Sequence, residues 1–184
     1  MTAVVGVQQL SAGTWAIDLV HSSINFSVRH LMVGKIHGRF DQFSGAITIA
    51  EDGTPSVTAE VDVNSVDTGN EQREAHIKAA DFFDVAEFPT ARFVSTAVRA
   101  DGDNNYVLDG DFTLKGVTKS VAMMLVFNGV SPGMGRGEVA GFEASVVLSR
   151  KDFGVGPELP LDGGGTMLGD KVTITLAIEA LKQA

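Results

Sequence analysis

Hydrophobic residues recur at every second position along most of this chain, and this period constrains the fold more than any other feature. Near the C-terminus, Val172, Ile174, Leu176 and Ile178 alternate with polar or small residues. Successive side chains of a strand point to opposite faces, so the pattern predicts strands with one buried face. Similar runs predict eight or nine strands, at about 14–19, 22–31, 36–49, 56–63, 90–99, 105–115, 118–129, 138–149 and 171–181.

The segments between these runs favour hairpins, with one exception. Residues 51–55, 101–105 and 131–137 are rich in Gly, Pro, Asp and Asn, which form tight turns. Thr68 and Glu71 instead have the spacing of a helix capping box, which predicts one short helix at about 69–80. We therefore predict an all-β fold, an elongated eight-stranded antiparallel β-barrel, with a two-sheet sandwich as the alternative.

Length and composition narrow the class of protein further. The chain has 184 residues, which fits one domain at 14–184 preceded by a disordered or extended segment at 1–13. It has no cysteine, which excludes disulfides, thiolate catalysis and iron–sulfur clusters. Its net charge of −9 argues against binding to nucleic acid or to an anionic membrane.

The apolar residues leave open whether the barrel is filled or hollow. Eleven Phe accompany one Trp and one Tyr, and an eight-stranded barrel either is filled by side chains or holds one small ligand. If it is hollow, alternation makes one set of residues candidates for the lining, although it does not tell which face points inward. These candidates are Phe26, Val28, Phe40, Phe93, Leu108, Phe112, Met123, Leu125 and Phe142.

The histidines do not have the spacing of a metal site. His21, His30, His37 and His76 include no i, i+2 or i, i+4 pair, so we expect no metal. His30 continues the apolar face of its strand, which is typical either of a hydrogen-bonded core histidine or of a polar ligand contact in an apolar pocket.

Two further groups of polar residues admit a functional interpretation. Arg73 and His76 lie three residues apart on the predicted helix, either as a solvated face or as contacts for an anionic ligand head group. Asp18, His21 and Ser22 contain the residue types of a catalytic triad, but their place between two predicted strands favours turn chemistry.

The order of motifs along the chain resembles that of the YceI-like family of polyisoprenoid-binding proteins, over about residues 14–181. The motifs are Trp15–Ser22, Gly38–Phe40, Val63–Asn70, Arg73–His76, Asp81–Val85, Leu114–Lys119 and Arg150–Gly154. The resemblance implies a lipocalin-like barrel whose apolar lumen takes a long isoprenoid chain or another amphiphilic lipid, with no established enzymatic activity. Glu74 departs from the Asp that the family usually carries after its Arg, and no signal-peptide pattern opens the chain.

We therefore expect a cytoplasmic protein that binds, sequesters or transports a long-chain lipid without a cofactor. One alternative is an enzyme acting on an amphiphile through His30 or His76 with an acid such as Asp18. Another is a stress-related structural protein with a filled barrel. Two segments, 121–127 and 140–148, are apolar on both faces, which hints at a homodimer.

Overall fold

The computed structural model describes residues 6–184, and antiparallel strands are its main secondary structure. Eleven strands form one sheet. They are β1 Gly13–Ile17, β2 Ser23–His30, β3 Gly34–Phe40, β4 Phe43–Ile49, β5 Pro55–Asp62, β6 Val66–Asp67, β7 Thr90–Ala100, β8 Asn105–Leu114, β9 Val117–Ser131, β10 Val139–Ser149 and β11 Leu168–Lys182. The α-helix is α1, Glu71–Lys78, and short 3-10 helices lie at Gly6–Gln9, Val63–Ser65 and Arg150–Phe153.

The sheet closes because β11 pairs with both β1 and β2. Ala180–Lys182 of β11 pair with β1, and Leu168–Ala177 pair with β2, so β1 and β2 are two halves of one wall strand. β3 and β4 are likewise two halves of the neighbouring wall strand, since β2 pairs with β3 and β1 pairs with β4. The result is a closed eight-stranded antiparallel barrel, which confirms the predicted fold over the two-sheet sandwich.

The wall strand formed by β3 and β4 differs from the prediction in one respect. The sequence predicts one continuous strand at 36–49, yet the strand is interrupted at Asp41 and Gln42. Their backbone N–H groups donate to Ser65, Asp41 to its carbonyl at 3.2 Å and Gln42 to its Oγ at 2.9 Å. The 3-10 helix Val63–Ser65 thus replaces a neighbouring strand as the hydrogen-bond partner at this point.

The N-terminal segment also departs from its prediction. The segment 1–13 is predicted to be disordered or extended, but Gly6–Gln9 form a 3-10 helix and Leu10 is buried. The N–H of Val7 donates to the Tyr106 hydroxyl at 2.9 Å. The prediction is therefore wrong for residues 6–10, and residues 1–5 lie outside the described residues.

The predicted helix is present, but its cap is not the one that the sequence indicated. Asn70 is the N-cap, and its side chain accepts the N–H of Arg73 at 2.9 Å. Thr68 instead donates its own N–H and hydroxyl to Glu74, at 2.7 and 3.1 Å. Since the capping-box template reads spacing alone, it located the helix correctly but assigned the cap two residues too early.

Two apolar clusters close the barrel at opposite ends. The Trp15 cluster contains Leu10, Trp15, Ile47, Ile49, Tyr106, Phe127, Ala140, Phe142 and Ala180. The Phe153 cluster contains Phe82, Phe153 and Val155, with Leu148 and Leu168 packed against it. Ala140 and Leu148 lie near the two ends of β10, so β10 runs from one cluster to the other.

Substitution of Gly110 on β8 is a test of how tightly neighbouring side chains and backbone pack against the barrel wall. A Cβ at this buried position would lie 2.3 Å from Phe93 Cζ and 2.6 Å from the carbonyl oxygen of Val94. We expect Gly110→Ala to lower the free energy of unfolding by about 1–3 kcal/mol through overpacking, measured by urea denaturation. Gly141→Ala is the control, because the atom nearest to its Cβ would be Asn128 Cβ at 3.5 Å. Equal losses in the two variants would contradict this explanation.

Candidate functional site

An apolar cavity of about 290 Å³ lies inside the barrel. Its lining comes from inward positions on the wall strands and on the segment that includes α1. The surface that faces the space is apolar. A cavity of about 150 Å³ already admits benzene, and small-molecule sites start at about 300 Å³. The barrel is therefore hollow, with room for an apolar chain.

The predicted lining residues converge on this cavity. Phe26, Val28, Phe40, Phe93, Leu108, Phe112, Met123, Leu125 and Phe142 all line it. Their part in ligand binding stays a prediction. Sequence reasoning missed further lining residues, including Ile36, Val57, Val61, Ala144, Ile174 and Leu176. The alternation on β5, β10 and β11 was the signal that could have found most of them.

The two predicted histidine contacts do not lie at the cavity. His30 ends β2 half-buried, opposite Leu168 and Gly34, and it is not part of the lining. His76 is on the outer side of α1, with Nε2 3.4 Å from a carboxylate oxygen of Asp81 and its ring 5.0 Å from the ring of Phe82. The structure therefore separates both side chains from the apolar space.

One side of the cavity is closed by side chains and not by a strand. One edge of β3 is paired with β2. Among the described residues, the opposite edge pairs with β6 only at Arg39 and Phe40, so it has no strand beside it at 34–38. Ile77, Phe82 and Phe83, from α1 and the segment after it, line the cavity. The ring of Phe83 lies 6.0 Å from that of Phe40. We call this part of the wall, β3 facing α1 and residues 79–83, the seam.

Arg73 lies at the seam and lines the cavity, and its contact with a ligand head group stays a prediction. Its Nε donates to Thr68 Oγ1 at 3.0 Å and its Nη2 to the Thr68 carbonyl at 2.7 Å. No ion pair with a carboxylate involves Arg73 in the described part of the chain. A half-buried guanidinium held in place by neutral groups keeps its positive charge available to an anionic ligand group.

Glu74 stabilises the loop that positions Arg73. Its Oε1 accepts the N–H and the hydroxyl of Thr68 and also the N–H of Asn70, the last at 3.2 Å. The Thr68 N–H makes the largest contribution, and together these donors lower the pKa of Glu74 below its usual value. The longer side chain that departs from the family pattern thus reaches back across the helix start.

Arg150 holds a loop in place, a role that the sequence analysis did not predict. There it was named only as the first residue of the motif Arg150–Gly154. It is 5% exposed, and its guanidinium donates only to backbone carbonyl oxygens. These acceptors belong to Val155, Gly156, Pro157, Leu168 and Gly169, at 2.8–3.2 Å. Arg150 thereby fixes the segment between the 3-10 helix Arg150–Phe153 and β11 against the barrel end.

The Asp18 group lies outside the cavity, at the break between β1 and β2. His21 Nδ1 is 2.8 Å from Asp18 Oδ2, and the N–H of Val20 donates to Asp18 Oδ1 at 3.0 Å. Ser22 Oγ bonds instead to the backbone of Glu179, at 3.2 Å to its oxygen and 3.0 Å to its nitrogen. These contacts match the turn interpretation, since Ser22 does not meet His21.

A closed eight-stranded barrel around an apolar cavity defines a lipocalin-like barrel. Residues 15–180 match the YceI-like domain family, and the chain belongs to this family. A UPF0312 protein of Pseudomonas putida W619 is 34% identical over 187 residues, covering 99% of this chain and 93% of the relative. A UPF0312 protein of Staphylococcus aureus MSSA476 is 36% identical over 168 residues, covering 90% and 95%.

Solved structures share the fold. Burkholderia cenocepacia BcnA superimposes with a TM-score of 0.74 at 23% identity, covering 89% of this chain and 98% of that one. A polyisoprenoid binding domain from Saccharophagus degradans, implicated in plant cell wall breakdown, has a TM-score of 0.71 at 16% identity, covering 92% and 98%. Within residues 6–184, no helix has the length and apolar character needed to cross a membrane.

The lowered pKa of Glu74 makes a prediction about acid stability. A carboxylate whose pKa is lower in the folded chain stabilises the fold at neutral pH and loses that contribution as pH falls through the folded-state pKa. We expect Glu74→Gln to have a lower Tm than the parent at neutral pH, with the difference vanishing in acid. Thermal melts across the acidic range, with Glu71→Gln as the control on the same helix, measure this. A difference in Tm that is independent of pH would contradict it.

Proposed function

We propose that this protein binds and carries a long-chain apolar lipid, a polyisoprenoid or a similar amphiphile, in the barrel cavity. The observation that carries the proposal is the wholly apolar space between the Trp15 and Phe153 clusters. Membership of the YceI-like family and the polyisoprenoid-binding neighbour support the same class of ligand. Binding would be driven by burial of the chain, worth roughly 25 cal/mol per Å² of apolar surface, less the cost of ordering both partners.

The seam offers the least costly route into the cavity. Opening the barrel between two paired strands would break a ladder of backbone hydrogen bonds. Displacing α1 and residues 79–83 breaks the packing of Phe82 and two hydrogen bonds to backbone carbonyls, from the Gly156 N–H to Asp81 and from Lys115 Nζ to Ala80. No residue of α1 is fully buried, so the helix has little apolar packing to lose. In our proposal α1 and residues 79–83 move aside to admit the chain, and Arg73 then contacts its head group.

The lining favours binding over the enzymatic alternative. Arg73, Arg92 and Arg150 are its titratable side chains among the described residues, and arginine stays protonated, so it is a poor general base. The hollow interior likewise argues against the filled-barrel alternative. The cytoplasmic location, the homodimer and the absence of a cofactor stay predictions.

Affinity should rise with the length of the ligand chain. Each additional buried CH₂ adds about 0.8 kcal/mol until the cavity is full, so we expect tighter binding along a series of prenyl alcohols, followed by a limit. Ala144 lies inside, paired with Leu125 and Leu176, and Ala144→Leu should shorten the longest chain accepted. Titration with native mass spectrometry measures both effects.

The matched control for that series is Ala122→Leu. Ala122 is exposed on β9 and does not line the cavity, so the same increase in volume falls outside the barrel. We expect its length limit to equal that of the parent. An affinity that does not depend on chain length in the parent protein would refute the carrier function.

The head-group role of Arg73 is tested by comparing charged and neutral ligands. Arg73→Ala should weaken binding of a prenyl phosphate by about 1–3 kcal/mol, the value of a hydrogen bond to a charged group. Binding of the prenyl alcohol of equal length should change little. His76→Ala tests the other predicted contact, and its position on the outer side of α1 leads us to expect no effect on either ligand. Equal losses for both ligands in Arg73→Ala would assign Arg73 to the fold.

A further inference from the structure

The turn between β2 and β3 exposes three consecutive apolar side chains at the end of the barrel that carries the Phe153 cluster. Leu31, Met32 and Val33, here called the hairpin tip, are 41%, 57% and 85% exposed. The N–H of Leu31 donates to the carbonyl of Met167, whose own side chain is 41% exposed. Contiguous exposed apolar side chains of this kind are typical of interaction surfaces.

The hairpin tip is held in a backbone conformation that suits other residues better. The N–H of Val33 donates to the carbonyl of His30 at 3.2 Å, which closes a turn around Leu31 and Met32. Both have positive φ, 50° and 65°. Turns with two positive φ values strongly favour Asn-Gly, because a Cβ is strained in this region. The hairpin requires these φ values, yet Leu31 and Met32 occupy the positions that Asn-Gly would fill with less strain, which makes their apolar side chains candidates for a function.

The strands that lead to the hairpin tip carry an unbalanced positive charge. Residues 19–40 contain Arg29, Lys35 and Arg39 and no Asp or Glu, although the whole chain has a net charge of −9. Arg39 is paired with Asp41 and Asp67. Arg29 and Lys35 are exposed and lie directly opposite each other across β2 and β3. Like charges in opposed positions destabilise a strand pair, so a nearby anion would relieve a repulsion that the free protein retains.

Within the described residues, no acidic group near this surface makes an ion pair with Arg29 or Lys35. Asp170 of β11 is the nearest in register, but its Oδ1 accepts from Ser149 Oγ at 2.7 Å and its Oδ2 lies 3.8 Å from Lys171 Nζ. Glu158 is paired with Lys151. Asp162 is exposed in the loop that precedes Met167. The apolar tip and the Arg29–Lys35 pair thus form one continuous surface with a positive flank.

We propose that the hairpin tip docks on an anionic lipid bilayer, with Leu31, Met32 and Val33 entering the interface and Arg29 and Lys35 meeting lipid head groups. Shallow apolar insertion combined with basic side chains is how proteins bind such surfaces without spanning them. The net negative charge of the whole chain argues against binding to an anionic membrane, but it does not describe the local positive charge beside the hairpin tip. Ile36 of β3 follows the hairpin tip closely in the sequence and lines the cavity at the seam. The docked face is therefore next to the route proposed for the ligand.

The test is co-flotation of the full chain with vesicles of phosphatidylcholine alone or with roughly 30% phosphatidylglycerol. We expect flotation with the anionic vesicles that weakens as salt is raised. Val33→Glu should reduce binding at least about fivefold, because a carboxylate replaces an inserting apolar side chain. Lys35→Glu should reduce it similarly while keeping or raising the Tm, since the introduced carboxylate would lie opposite Arg29 and pair with it. If Lys35 only stabilised the fold, Lys35→Glu would lower vesicle binding and the Tm together.

The control is the double variant Met134→Glu with Arg136→Glu, in the β9–β10 turn at the opposite end of the barrel. Met134 is 98% exposed, so this turn carries the same pairing of an apolar and a basic side chain. We expect its vesicle binding to equal that of the parent. Equal flotation with neutral vesicles, no flotation, or equal losses in the control would overturn the proposal. Prenyl alcohol binding in detergent, measured on the same variants, should be unchanged, so failure of docking and failure of ligand binding are separate results.

Discussion

The closure of the backbone ladder around β11 is the constraint on which the rest of the structure depends. β11 bonds to β10 along one edge and to β2 and β1 in succession along the other. Because the sheet returns on itself there, every second side chain of the wall must face a common interior. Strands such as β9 and β11, each of 15 residues, make that interior tall. The two end clusters fill its ends and leave the middle empty.

The exceptions to regular pairing coincide with the features that matter for function. The wall is interrupted at Asp41–Gln42, where Ser65 accepts the backbone hydrogen bonds. On the edge that faces α1, β3 has a paired strand only at Arg39 and Phe40 and none along 34–38 in the described residues. The seam is the consequence, and α1 covers it with little buried surface of its own. A barrel that was perfectly paired all round would retain its cavity but would have no weak side through which to load it.

The charged residues of the protein are also distributed unevenly over the fold. Most of the acidic excess lies away from the β2–β3 hairpin, and the exposed Arg29 and Lys35 face each other beside an apolar tip. The whole-chain charge therefore describes the average field of the protein and not the field at any one face. The fold places this surface next to the seam, which connects the proposed docking face with the proposed ligand route.

The alternation of apolar residues was sufficient to predict the strands and the barrel, and the capping-box spacing located the helix. Alternation also supplied nine candidates that line the cavity, although it did not tell which face points inward. These are consequences of local geometry, since side-chain direction along a strand follows from sequence spacing alone. The cap at Asn70, the break at Asp41 and the buried Arg150 were not predictable in this way. The break and the buried Arg150 depend on groups far away in the sequence, such as Ser65 and the carbonyl of Gly169. The cap at Asn70 is instead a local contact with the N–H of Arg73, which the spacing template assigned to the wrong residue. Only the tertiary structure decided that His30 and His76 stay outside the lining while Arg73 reaches it, because the register of distant strands and the docking of α1 set which polar side chain meets the apolar space.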